Sequence, residues 1–162
     1  MRFKLVPKPP DSLEFVADAQ RAVPLIPDTE DDCCARLMRR LDFPSRDIAR
    51  TWLTFLRALR LAEETESGFR RTDVDPTREA VREAFVDRVF GASEVLDALE
   101  ADGALSADEA FERFKERVPT WEHYKNPTEW EDVWRERVER VLDWLTLLGA
   151  VERTADGRYR RA

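Results

Sequence analysis

A repeat at a spacing of 89 residues constrains this chain more than any other feature. LAEETESGFRRT at 61–72 lies on AVERTADGRYRR at 150–161. Leu56 falls on Leu145, Leu59 on Leu148, Glu63 on Glu152, Thr65 on Thr154, Gly68 on Gly157 and Arg71 on Arg160. Two β-capable runs around a glycine turn read as a hairpin, and Asp156-Gly157 is a strong turn signal. One structural unit is therefore used twice in 162 residues.

The signals before each hairpin are helical. Asp11 with Glu14 has the capping-box spacing before LEFVADAQRAV, and Pro24 and Pro27 bracket a break. A second helix carries Glu30, Asp31 and Asp32 in its first turn and Arg36, Arg39 and Arg40 in its last, as the helix dipole prefers. Asp42-Phe43-Pro44-Ser45 is a turn, Ser45 is a good N-cap, and a third helix runs to about Arg60. Beyond the first hairpin, Asp75 N-caps a linking helix with Pro76 at its first position and Val81, Ala84, Phe85 and Val89 on one face. Gly91 separates it from a helix that reaches Ala101. Ser106 with Glu109, then Thr128 with Glu131, mark two more helix starts, the last helix running to Leu148. The order is helix, helix, helix, hairpin, twice. The predicted fold class is mainly α with two small β-hairpins, as two units, 1–74 and 75–162, packed together with the linking helix in the second.

Three helices and a hairpin resemble the winged helix-turn-helix. The residues that carry the resemblance are SRDIARTWLTFLRALRLAEETESGFRRT in the first half and EWEDVWRERVERVLDWLTLLGAVERTADGRYRR in the second. The close LTLLGAVE, 145–152, is very like the end of that family's recognition helix, whereas the first copy has Arg60 where the glycine would be. The whole sequence also resembles a haloarchaeal protein family. Its composition agrees: 34 acidic against 27 basic residues, with only four lysines (Lys4, Lys8, Lys115, Lys125). The winged-helix resemblance implies a third helix that enters the DNA major groove and a wing that touches the backbone.

Helical spacing at about 100° per residue then separates the two third helices. In the first, Ile48, Trp52, Phe55 and Leu59 make the expected buried face. Arg46, Arg50, Arg57 and Arg60 fall on the opposite side, flanked by Thr51 and Thr54, and the wing adds Arg70 and Arg71. Arg46 with Asp42 and Arg60 with Glu64 have i,i+4 spacing, while Arg50 and Arg57 have no acid three or four residues away. Candidate nucleic-acid contacts are Arg46, Arg50, Thr54, Arg57, Arg70 and Arg71, and the expected partner is double-stranded DNA. A solvated arginine face is the plainer alternative.

In the second helix Trp130, Trp134, Val138, Val141, Leu145 and Leu148 form an apolar stripe. Asp132, Glu136, Glu139 and Asp143 face away from it. An acidic stripe repels phosphate. These four are candidate partner-binding residues, for a second copy or another protein. Arg153, Arg158, Arg160 and Arg161 remain in the second wing. The loop PTWEHYKNPTEW, 119–130, holds the only histidine, His123, between Trp121 and Trp130. It reads as an aromatic, basic contact for a base or ligand, or as a polar tip that the tryptophans anchor to the core.

Several functions lack the residues they need. Cys33 and Cys34, the only cysteines, read as buried small hydrophobes, and with one histidine they do not suggest a metal site. With five glycines there is no phosphate-binding glycine loop, and no cofactor or catalytic residues are expected. No apolar run is long enough for a membrane span, and the start MRFKLVPKPP has no signal-peptide core. Arg2, Lys4 and Lys8 there read as an edge strand or loose end rather than a basic arm. The expectation is a non-enzymatic, cytoplasmic DNA-binding regulator. Tandem winged helices also resemble accessory subunits of chromosome-organising and transcription complexes, in which both copies bind protein.

Overall fold

The computed structural model describes residues 2–162. The chain divides into two compact units, Met1–Val89 and Phe90–Ala162. The first contains α1 (Glu14–Ala22), α2 (Glu30–Leu41), α3 (Arg46–Ala58), strands β1 (Ala62–Thr65) and β2 (Gly68–Arg71), and α4 (Arg78–Arg88). The second contains α5 (Ala92–Asp102), α6 (Ala107–Phe114), a 3-10 turn at Lys115–Arg117, α7 (Thr120–Lys125), α8 (Trp130–Leu147), β3 (Val151–Arg153) and β4 (Tyr159–Arg161). Each unit has the expected order of three helices and an antiparallel hairpin, with α7 inserted in the second.

The boundary lies later than the sequence reading placed it, because α4 packs within the first unit. Phe85 of α4 meets the ring of Phe55 edge-on at 6.1 Å. The Arg88 guanidinium donates to the Arg57 carbonyl at 3.0 Å and lies over the Phe3 ring. Phe3 and Val89 form a parallel bridge, with the Phe3 N–H donating to the Arg88 carbonyl at 2.8 Å. Phe3 is thus tied to this corner by a single isolated bridge.

Local signals set most helix starts. Ser45 accepts from the Ile48 N–H, Thr29 caps α2, and Ser106 with Glu109 forms a complete capping box. Three starts differ from expectation. α1 begins after Leu13, so Asp11 caps nothing. Thr77, not Asp75, caps α4 by accepting from Ala80. α8 follows Glu129 with no side-chain cap, because α7 and its exit at Asn126 take up the residues before it.

Aromatic clusters fill the cores. In the first unit Trp52 stacks on Phe43 and meets Phe15 and Phe55 edge-on at 5.2 and 5.8 Å. In the second, Trp134 packs with Phe90 and Phe114. Cys33 and Cys34 are buried as expected; burial, with the negative Asp28 beside it, pushes the Cys33 thiol up to about 11. Ile48 departs from its predicted face and is 39% exposed. Ala49, Leu53 and Leu56 complete the buried side of α3 instead.

The hairpins start from the same turn. Leu59 and Leu148 are the C-caps of α3 and α8; Arg60 and Gly149 follow at φ +64° and +80°. Arg60 N–H donates to the Arg57 carbonyl at 3.1 Å and Leu61 N–H to Leu56 at 2.9 Å. In the second unit Gly149 donates to Thr146 and Ala150 to Leu145 at the same distances. These are the paired bonds of a Schellman turn. In the first unit Gln20, 7% exposed, braces the hairpin base, its side-chain amide donating to the carbonyls of Thr72 and Val74.

Each hairpin gains a third edge. Asp28 pairs with Phe69, and Leu105 with Tyr159. Gly68 (φ +129°) sits so close to Asp28 that a Cβ would collide with its carbonyl oxygen, whereas one at Gly103 (φ +77°) would meet nothing. Gly68→Ala is expected to cost about 3 kcal/mol or more, strain and collision adding, and Gly103→Ala roughly 1–2 kcal/mol from strain alone. Urea denaturation of both variants checks this; equal losses would remove the packing argument.

Candidate nucleic-acid interface

The exposed side of α3 reaches the β1–β2 hairpin through Arg57, which meets Glu64 and Phe69. Arg46, Arg50 and Arg57 follow each other at helical spacing, Thr54 is half-buried between them, and Arg70 projects from β2. Arg71 is the next residue on the strand, so its side chain leaves the opposite face. It is half-buried, with an Nε that has no hydrogen-bond partner, while its backbone N–H donates to the Pro24 carbonyl. Arg46, Arg50 and Arg57 share one side of α3; Arg57 reaches the hairpin face that holds Phe69 and Glu64, whereas Arg70 projects from the other face beside Glu63.

Arg46, Arg50, Arg57 and Arg70 each have a carboxylate partner within the same unit. Glu30, in the first turn of α2, sits 3.1 Å from Arg50 Nε and 3.8 Å from Arg46. Arg46 also binds Asp31. The Asp31 carboxylate, hydrogen-bonded to Arg46, raises that guanidinium's pKa. Arg57 lies 3.4 Å from Glu64 and over the Phe69 ring. Arg70 makes two contacts of 2.6 Å with Glu63, its direct partner across the hairpin.

The i,i+4 pairs expected from the sequence do not form. Asp42 takes a left-handed conformation at the end of α2, and Arg46 turns to α2's first turn. α3 ends before Arg60, so Arg60 and Glu64 do not share a helix; Arg60 pairs with Asp87 of α4. Arg50 and Arg57, which have no acid nearby in sequence, find acids on neighbouring elements. Long-range packing supplied partners that spacing alone hides.

The second unit spends its charges in the same way. Asp132 pairs with Arg135 and Glu136 with Arg140, while Glu139 is exposed. Asp143 is committed to the wing, accepting the Tyr159 hydroxyl at 2.6 Å. Arg153 lies over the Tyr159 ring and donates to its hydroxyl at 2.9 Å. Arg158 pairs with Glu109 of α6, Arg160 with Glu152, and Arg161 donates to the Ala150 carbonyl at 3.5 Å.

The repeated arginines after each glycine turn therefore have a structural role. Arg70 faces Glu63 across the first hairpin, and Arg160 faces Glu152 across the second. A constant shift of 89 residues aligned Arg71 with Arg160, yet the second turn is one residue longer, so Arg70 is the true counterpart. Opposite charges directly across a hairpin stabilise its register.

The loop 119–130 is only partly anchored. His123 stacks on Trp130 at 3.8 Å, while Trp121 is 53% exposed. Neither the helix α7 nor this outward tryptophan was read from the sequence; Pro119 before it and Asn126-Pro127 after it were the available signals. His123 Nε2, Trp134 Nε1 and one Arg137 Nη have no acceptor in this corner. Among the described residues no cluster of His, Cys, Asp and Glu is placed to hold a metal ion, and no helix is long and apolar enough to cross a membrane.

Burial, then the hydrogen bond to Asp143, raises the Tyr159 pKa. The folded chain keeps this proton where an unfolded tyrosine, with a pKa of about 10, has lost it. The contribution to stability is intact below that pH and falls as pH rises above it. Tyr159→Phe is expected to cost roughly 1–3 kcal/mol at neutral pH and to flatten the loss above about pH 10. Chemical denaturation at neutral and alkaline pH tests both effects, and an unchanged slope in the variant would clear Tyr159 of that role.

Sixteen basic residues face 17 acidic ones in the first unit, a net charge of −1, and 11 face 17 in the second, a net charge of −6. The excess acidity belongs to the second. No curated protein and no solved structure matches the chain. A family match does cover all of residues 1–162, to the halobacterial double winged helix domain. With both three-helix-and-hairpin units in place, the chain belongs to the halobacterial double winged helix domain family.

Proposed function

We propose that this protein is a non-enzymatic DNA-binding protein, a transcriptional regulator that reads double-stranded DNA with its first unit. The observation that carries the reading is the row of Arg46, Arg50 and Arg57 along α3, with Thr54 between them in sequence and Arg70 exposed on the hairpin that follows. In a winged helix these elements meet the major groove and the flanking backbone. Arg46, Arg50 and Arg57 act as base and phosphate donors, and Arg70 contacts phosphate. Arg71 supports the hairpin rather than the DNA.

The ion pairs on this face shape the mechanism. Each surface pair is worth only about 0–1 kcal/mol, so a guanidinium can trade its carboxylate for a phosphate or a guanine edge at little cost. Glu30 is the main competitor, since it faces both Arg46 and Arg50. A face neutralised in this way attracts DNA weakly at long range and favours sites that repay the exchange. Phosphate contacts lower log K by about 0.9 for each tenfold rise in salt, so base contacts matter more as salt increases.

A second reading, a scaffold that binds protein through both units, is favoured by the neutralised α3 face and the −6 charge of the second unit. Fluorescence anisotropy of labelled duplex DNA, titrated across salt, separates the two. The expected result is binding that Arg50→Glu/Arg57→Glu abolishes and that Glu30→Gln tightens several-fold by freeing Arg46 and Arg50. If the wild type fails to bind at any salt that keeps it folded, or if neither variant changes affinity, the DNA reading falls and the scaffold takes its place.

A further inference from the structure

α7 puts two large aromatic side chains into solvent. Trp121 is 53% exposed and Tyr124 81%. They lie on the outward side of the helix with Lys125, since residues three and four apart share a helical face. The inward side holds Glu122, which is buried, and His123, stacked on Trp130. Other aromatic side chains of this unit, Phe111, Phe114, Trp134, Trp144 and Tyr159, are buried. Trp and Tyr are also the types most enriched among residues that dominate protein interfaces.

The chemistry around this face selects the occupant. Lys125 Nζ already lies 5.9 Å from the centre of the Trp121 ring, at the outer limit of a cation–π contact. After Asn126, Pro127 and Thr128 come three exposed acids, Glu129, then Glu131 and Asp132 in the first turn of α8, where Asp132 also pairs with Arg135. The unit carries a net charge of −6. Phosphate is repelled by such surroundings. A guanidinium fits them, because it stacks on aromatic faces and pairs with carboxylates in the same approach.

We propose that Trp121 and Tyr124 form a docking knuckle for an arginine-bearing segment of a partner protein, with Glu129, Glu131 and Asp132 as its charge complement. Guanidinium groups stack on the two rings, and the carboxylates at the start of α8 hold neighbouring cations. The surface belongs to the second unit, whereas the arginine face belongs to the first. It also differs from the stripe of Asp132, Glu136, Glu139 and Asp143 expected from the sequence, since Asp143 is bound to Tyr159 and only Asp132 is shared.

The test uses the full chain and labelled nona-arginine, with nona-lysine and an oligothymidine strand alongside. Anisotropy is read at low salt and at about 1 M, where the Debye length is about 3 Å and simple charge attraction is screened. The arginine peptide is expected to bind more tightly than the lysine peptide and to retain affinity at high salt. Trp121→Ala and Tyr124→Ala should each weaken it about 3- to 10-fold, and Glu131→Gln/Asp132→Asn should weaken it mainly at low salt. Circular dichroism confirms that each variant is folded; Trp121→Leu, which keeps apolar bulk without a ring, serves if the alanine variant is not. At about 1 M salt Arg50→Glu/Arg57→Glu keeps the preference for arginine over lysine and its dependence on Trp121, so failure of the DNA reading would not imitate failure here. Equal binding of both peptides, indifference to the aromatic substitutions, no binding, or preferred binding of oligothymidine through Trp121 would each overturn the proposal.

Discussion

In each unit a left-handed residue reverses the chain at the end of the third helix, and the wing depends on that reversal. Leu59 and Leu148 close their helices, and the next residue takes a positive φ. The helix-end carbonyls of Leu56 and Leu145 are then satisfied by the N–H groups of Leu61 and Ala150. The bonds position the hairpin against the helix that precedes it. In the second copy the residue is Gly149, which enters this conformation without steric cost. In the first it is Arg60, which pays roughly 1–2 kcal/mol for its Cβ. The Thr72 hydroxyl donates to the Arg60 carbonyl at 2.7 Å, and the Arg60 side chain pairs with Asp87. The tether to α4 is something a glycine there would lack.

The same turn places charges. It brings β1 back beside α3, so that Glu64 reaches Arg57 and Glu63 faces Arg70. α2 brings Glu30 and Asp31 to the other end of the arginine row. The acids sit where the dipole of α2 favours them, so one placement serves both helix stability and neutralisation. A face that reads as strongly basic along the sequence is close to neutral in three dimensions. Contact with a polyanion there requires exchange of partners rather than simple attraction.

The two copies diverged through what was added between helices. The first joins α2 to α3 by the short turn Asp42–Ser45, whereas the second has a 3-10 turn and α7 between α6 and α8. Trp130 and Trp134 extend the apolar side of α8, and His123 rests on Trp130. α8 is correspondingly longer, 18 residues against 13 for α3. The reuse of one scaffold leaves the first unit with an arginine face and the second with an acidic, aromatic one.

The sequence by itself determined the elements whose causes are local. Helix periodicity, the Ser45 and Ser106 caps, the glycine turns and the 89-residue repeat all act within a few residues, and they define two three-helix-and-hairpin units. The candidate face was legible for the same reason, because 100° spacing puts Arg46, Arg50 and Arg57 in one row. Only the tertiary structure decided which unit takes α4, since Phe55, Phe85 and Phe3 are far apart along the chain. It also decided that Ile48 is exposed, that Arg71 turns away from Arg70, that α7 presents Trp121 outward and that each arginine of the face has an acid. A hydrogen bond four residues long is written in local sequence. An ion pair between α2 and α3 exists only after packing has brought its two charges together.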